Sequence, residues 1–203
     1  MLQQGISTDG ISLENPDDNL KKSFSELIEK KAEEAVTWLN SEDLNFAFLF
    51  VLEPIIKKHN ILEHMSMRNR VALCITDEIL TGSKNVPPEE FSASEYIQEI
   101  NSTLKWMLST GCANDGLSSD YDTVLDGCAA LLVRVYGDKS VLPIITDLIF
   151  QRNRKGSYYN DLAWVFFESR YPYGLILIVS YFRSEELKDI ELARKFLNFI
   201  PVA

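Results

Sequence analysis

Histidine and cysteine are scarce in this chain, and their placement removes the chemistry they usually carry. The 203 residues hold two His and three Cys. Cys74, Cys112 and Cys128 lie far apart, no CxxC occurs, and no Cys/His cluster has zinc-ligand spacing. His59 and His64 bracket Glu63 in H-N-I-L-E-H, one residue too long for H-x-x-E-H and unlike H-E-x-x-H. Five residues of helix amount to about 500° of rotation, so the two imidazoles diverge. No metal and no other cofactor is therefore expected. Cys74 and Cys128 fall in apolar helical stretches and read as small core residues. Cys112 follows Gly111 in a loop and is the expected exposed thiol. Cysteine used this way suits a reducing compartment.

Glycine and proline are also few, nine and seven respectively, and they fall mostly at segment boundaries. That favours helices over a many-turned β sandwich, and no segment alternates with period two between hairpin turns. The longest apolar run lies at 174–182, about nine residues where a membrane span needs about twenty. The first residues have neither a basic n-region nor an apolar h-region, so no signal peptide is expected and the location is expected to be cytoplasmic. G-x-S-x-G, Walker A and G-x-G-x-x-G strings are absent, and no motif names a reaction.

What the chain does have is charge of one sign, unevenly spread. The formal net charge is −10. Residues 1–100 carry 9 Lys+Arg against 18 Asp+Glu, whereas residues 101–203 carry 11 against 12. An acidic half repels phosphate backbones, which argues against nucleic-acid binding. Its acids serve either as solvated helix faces or as a docking field for a basic partner. With 46% hydrophobic and 25% charged residues, the composition is globular. At this length roughly 70% of the unfolded surface can be buried without metals or disulfides.

Residues 1–18 mix Gly, Ser, Asp, Asn and Pro without periodicity and read as a loose arm. Residues 19–203 read as one all-helical domain, with a subdivision near 112–119. Leu20, Phe24, Leu27, Ile28, Ala35 and Leu39 recur at helical steps. Ser41 is expected to cap the next helix, with Glu42 and Asp43 in its first turn, and Pro54 to kink or split it. Ser66 caps a third helix closed by Gly82. Ser92 and Glu95 form a capping box before a helix carrying Ile97, Ile100, Leu104 and Leu108. Five more follow, over 120–136, 140–151, 158–168, 172–182 and 185–199; those over 120–136, 140–151 and 172–182 are too hydrophobic to stand alone and are expected to cover their neighbours. Pro143 and Pro172 fall in first turns, where proline is tolerated. Asp120, Asp122 and Asp126 crowd one helix start, where acids complement the dipole. The fold class is thus all-α, about nine helices in antiparallel pairs, as a solenoid-like stack or an irregular bundle.

Residues 122–151 and 160–183 both read as helix, tight turn, more apolar helix. Leu125 and Leu162 mark comparable points about 37 residues apart, a spacing that suits stacked helix pairs. In this layout residues 119–203 resemble the HEAT and armadillo class of α-solenoids. The resemblance rests on element lengths, contains no diagnostic motif and transfers no functional residue.

The basic run Arg152, Arg154 and Lys155 ends a helix, where cations meet the last carbonyls. Beside it stand Tyr158, Tyr159, Trp164, Tyr171 and Tyr173. Arg and Tyr side by side are typical of binding hot spots, so the candidate binding residues are Arg152, Arg154, Tyr158, Tyr159 and Arg170. Core packing can equally absorb Trp164 and some of the tyrosines, because YYNDLAWVFF is apolar nearly all round. The resulting expectation is a non-catalytic helical scaffold or adaptor that binds another protein, with no nucleic-acid or membrane partner. Two other classes remain open: an acidic immunity-type neutraliser of a basic toxin or nuclease, and an enzyme whose pocket leaves no mark in the sequence.

Overall fold

Every regular element in the computed structural model is helical over the residues the structure describes, 16–82, 96–111 and 119–198. Nine α-helices stand among them: α1 (Pro16–Leu39), α2 (Phe46–Lys58), α3 (Met67–Thr81), α4 (Ile97–Gly111), α5 (Ser119–Ala130), α6 (Leu142–Lys155), α7 (Asn160–Glu168), α8 (Gly174–Ser180) and α9 (Leu187–Asn198). The protein is all-α. The expected loop at 83–88, the capping box at 92–95, Cys112 with most of its loop, and all but the end of the arm at 1–18 lie outside the described residues. The chain divides into two compact units, Met1–Val124 and Leu125–Ala203, and the division falls inside α5.

In the first unit α2 is the hub, packing on α1, α3 and α4. Its sequence explains this: Phe46, Leu49, Val51, Leu52 and Ile56 are buried on more than one face, so a single neighbour cannot cover them. The helix begins later than the sequence suggests. Asn45, not Ser41, is the N-cap, accepting the Ala47 N–H at 2.8 Å, while Ser41–Leu44 form a turn. Side chains from α3 and α4 hold that turn. Arg68 donates to the Ser41 carbonyl at 2.9 Å, and the Trp106 indole donates to the Leu44 carbonyl at 3.1 Å. The Arg68 guanidinium also lies 4.2 Å from the Trp106 ring centroid, a cation–π contact. The helix is not divided at Pro54, which sits on its exposed side. Ser66 caps α3 and Gly82 closes it in the left-handed conformation (φ 67°), both as the sequence suggests. Helix α1 carries its buried stripe of Phe24, Ile28, Ala35 and Leu39 across a break at Lys31 (φ −154°, ψ 64°). Nothing in the residue sequence around Lys31 accounts for the break.

In the second unit α6 is the hub, meeting α7, α8 and α9. Ile145, Leu148, Ile149 and Phe150 are its buried stripe. Phe150 stacks face to face on Tyr181 (centroids 3.6 Å apart, planes 6°), and the Tyr181 hydroxyl donates to Asp147. Helix α6 ends in a complete Schellman motif. The Ser157 N–H reaches the Arg152 carbonyl at 2.8 Å and the Gly156 N–H the Asn153 carbonyl at 3.2 Å. Gly156 takes φ 74°, where a side chain is strained. Before α6, α5 runs on into a π-helical stretch, Leu131–Val135.

Candidate functional site

Helices α7 and α8 follow one another across a short turn within the second unit. Ser169 ends α7, and the Gly174 N–H bonds back to the Tyr171 carbonyl at 2.9 Å across Pro172. Proline at the second position of such a turn presets its φ. The expected helix start at Pro172 therefore moves to Gly174, and Pro172 shapes the turn instead. Gly174 is needed for closeness: a Cβ there would stand 3.1 Å from the Phe166 ring.

Residues of α7, α8, α9 and the turn between α7 and α8 line an open pocket of about 730 Å³, within the range of ligand sites. Phe166, Phe167, Leu175, Ile178 and Phe196 supply apolar wall. Phe167 meets Phe196 edge to face at 5.3 Å, and Tyr159 meets it at 6.3 Å, geometry in which aromatic pairs attract. Polar groups are few: Tyr159, Asn160, Arg170, Tyr171 and Lys195 among the lining residues. The lining contains no carboxylate, His, Cys or Ser. Trp164 lines the pocket yet is 64% exposed, and on α8 Ile176 is 64% and Val179 48% exposed.

The five residues singled out from the sequence separate in the structure. Tyr159 and Arg170 line the pocket. Arg152 is buried, with an ion pair to Asp126 at 2.7 Å and a hydrogen bond to the Tyr158 carbonyl at 3.3 Å. Arg154 pairs with the buried Asp189 at 3.2 Å, and Ser184 donates to the same carboxylate. Tyr158 is exposed and its hydroxyl donates to Asp161 at 3.3 Å; desolvation and the adjacent Asp161 push that phenol upward. The five therefore do not make one exposed ridge. Trp164, Leu175, Ile178 and Lys195 were missed. The signal that points to them is apolar surplus: YYNDLAWVFF and GLILIVS carry more apolar residues than one buried stripe of a short helix can use.

Elsewhere the titratable groups look structural. Lys57 lies 2.8 Å from Glu53 and 2.9 Å from Asp77. Burial pushes the Glu53 carboxyl up, against the opposing pull of Lys57. Burial also drives the Cys128 thiol far above its ordinary range, which leaves it inert as a nucleophile. No cluster of three His, Cys, Asp or Glu able to hold a metal occurs among the described residues. No described helix is long and apolar enough to cross a membrane. No family model, curated protein or solved structure matches the chain.

Proposed function

We propose that the protein is a non-catalytic helical docking module, and that the pocket of α7, α8 and α9 receives an apolar segment of a partner protein. One observation carries this reading. Of the fourteen large apolar residues exposed among the described residues, nine lie in the stretch from Tyr158 to Leu187 that supplies most of the pocket lining, and three of them, Trp164, Tyr171 and Leu175, line the pocket itself. Concentrations of this kind mark interaction sites rather than ordinary surface. A small molecule inside the pocket leaves Tyr173, Ile176 and Val179 in water; a protein segment covers them as well. The absence of carboxylate, imidazole and thiol from the lining favours binding over turnover.

The test is a substitution that spoils the surface and spares the fold. Leu175 lines the pocket and is 40% exposed, so Leu175→Asp should leave the melting temperature nearly unchanged. The same change should weaken binding of an amphipathic helical peptide at least tenfold, because it places a charge in the apolar contact. Unchanged affinity contradicts the reading. The acidic residues of the first hundred support a second reading, a surface that draws in a basic partner by charge. Its mark is binding that Leu175→Asp leaves intact and that raised salt abolishes.

A further inference from the structure

Resting on that reading, we infer that the segment docking in the α7–α9 pocket is an acidic amphipathic helix, its apolar side chains in the pocket and its carboxylates on Arg170 and Lys195. Three observations lead there.

The first is charge. Arg170 and Lys195 line an apolar pocket, and neither side chain has an ion-pair or hydrogen-bond partner among the described residues. Of the acids close in sequence, Glu168 pairs with Arg134 at 2.6 Å and Asp189 with Arg154, Asp161 accepts from Tyr158, and the exposed Glu191, one helical turn before Lys195, makes no ion pair with it. The pocket thus shows two cations without a direct ion pair against apolar wall, in a protein whose formal net charge is −10. Residues 101–203 are close to neutral (11 Lys+Arg against 12 Asp+Glu), so this half does not repel an acidic segment as the first half does.

The second is backbone. The pocket walls are three helices and the turn between two of them, and no strand edge lies among the described residues. A docking segment must satisfy its own N–H and C=O groups. A helix does this while presenting apolar residues at i, i+3, i+4 and i+7 along one face.

The third is the conformation of Arg170. It holds φ 47°, the left-handed region at a helix end where glycine is the usual occupant. Keeping a long cation in a strained position beside a pocket points to use of the side chain.

The experiment uses the full chain and two fluorescein-labelled helical peptides. They share an i, i+3, i+4, i+7 leucine face and differ only in glutamate or lysine at the flanking positions. Fluorescence anisotropy should show the glutamate peptide binding roughly five- to tenfold tighter, as two screened surface pairs would give. The preference should shrink at high salt. The double charge reversal Arg170→Glu, Lys195→Glu should invert it, and the double neutral change Arg170→Gln, Lys195→Gln should abolish it. If both peptides bind equally, or if the charge reversal leaves the preference unchanged, while Leu175→Asp still releases both, the acidic-helix assignment is overturned and the docking reading stands. If neither peptide binds, or Leu175→Asp leaves both bound, the docking reading is overturned and this inference with it.

Discussion

Arg152 and Arg170 look alike in the sequence, each a cation near a helix end among tyrosines, yet they do opposite work. Arg152 turns inward to Asp126, and the pair is nearly sealed (side chains 6% and 15% exposed). Its partner stands on α5, where the sequence suggests only a first-turn acid, so local pattern cannot reveal the pairing. Arg170 keeps its guanidinium in solvent at the pocket. Glu53 shows the same dependence on distant surroundings. Burial raises its carboxyl above the ordinary value of 4.5, so the folded state holds that proton more tightly than the unfolded state. Its stabilising contribution is fully present below about pH 4.5 and is lost as pH rises through the raised folded value. Thermal melts of the native chain and of Glu53→Gln at successive pH values should show the native chain gaining relative to the variant as pH falls through that window. A difference that stays flat from pH 7 to pH 4 shows that the carboxyl does not titrate in this way. Of the sequence-derived candidates, Tyr159 and Arg170 reach the pocket because they flank α7, the helix with the clearest apolar surplus. Arg154 sits where the sequence places it, and the acid that occupies it, Asp189, lies 35 positions later.

At the scale of elements, the periodic and capped signals were legible and the short apolar helices only partly so. Ser66, Gly82 and Gly156 mark their helix ends because a hydroxyl acceptor and a left-handed glycine are local solutions to unpaired backbone groups. Ser41 misleads for the same reason: Asn45 offers an equivalent cap four residues on, and Arg68 and Trp106 from other helices decide between them. The sequence reads the segment of α8 as one too hydrophobic to stand alone, packed over its neighbours. Only Gly174 and Ile178 of its seven residues are buried, because the α7–α8 turn brings one face down and leaves the other open. The end of α7 yields a prediction at this scale. Arg170→Gly removes a Cβ from a left-handed position, worth about 1 kcal/mol of strain, partly offset by glycine's greater freedom in the unfolded chain. The variant should melt at the same temperature or slightly higher, while losing part of its preference for the acidic peptide. A marked fall in stability means the Arg170 side chain is a structural cap and not a contact.

For the molecule as a whole, two features compete to name the partner. The acids of the first hundred residues set a negative field, which reaches about a Debye length, ~8 Å in physiological salt. The apolar pocket of the second unit acts only on contact, through area removed from water. The charge imbalance is plain from residue counts. The pocket is not, since it exists only once α7, α8 and α9 are folded together and leave part of their apolar surface unused. The account predicts that the pocket is where binding energy resides. The most direct measurement is amide and indole chemical-shift mapping of the 15N-labelled full chain during titration with the glutamate-flanked helical peptide. Saturable shifts should centre on the Trp164 indole and on the amides of Tyr159, Arg170, Leu175, Ile178 and Lys195, with α1–α4 unmoved. Shifts confined to α1–α4, or no saturable shift in α7–α9, would contradict the account.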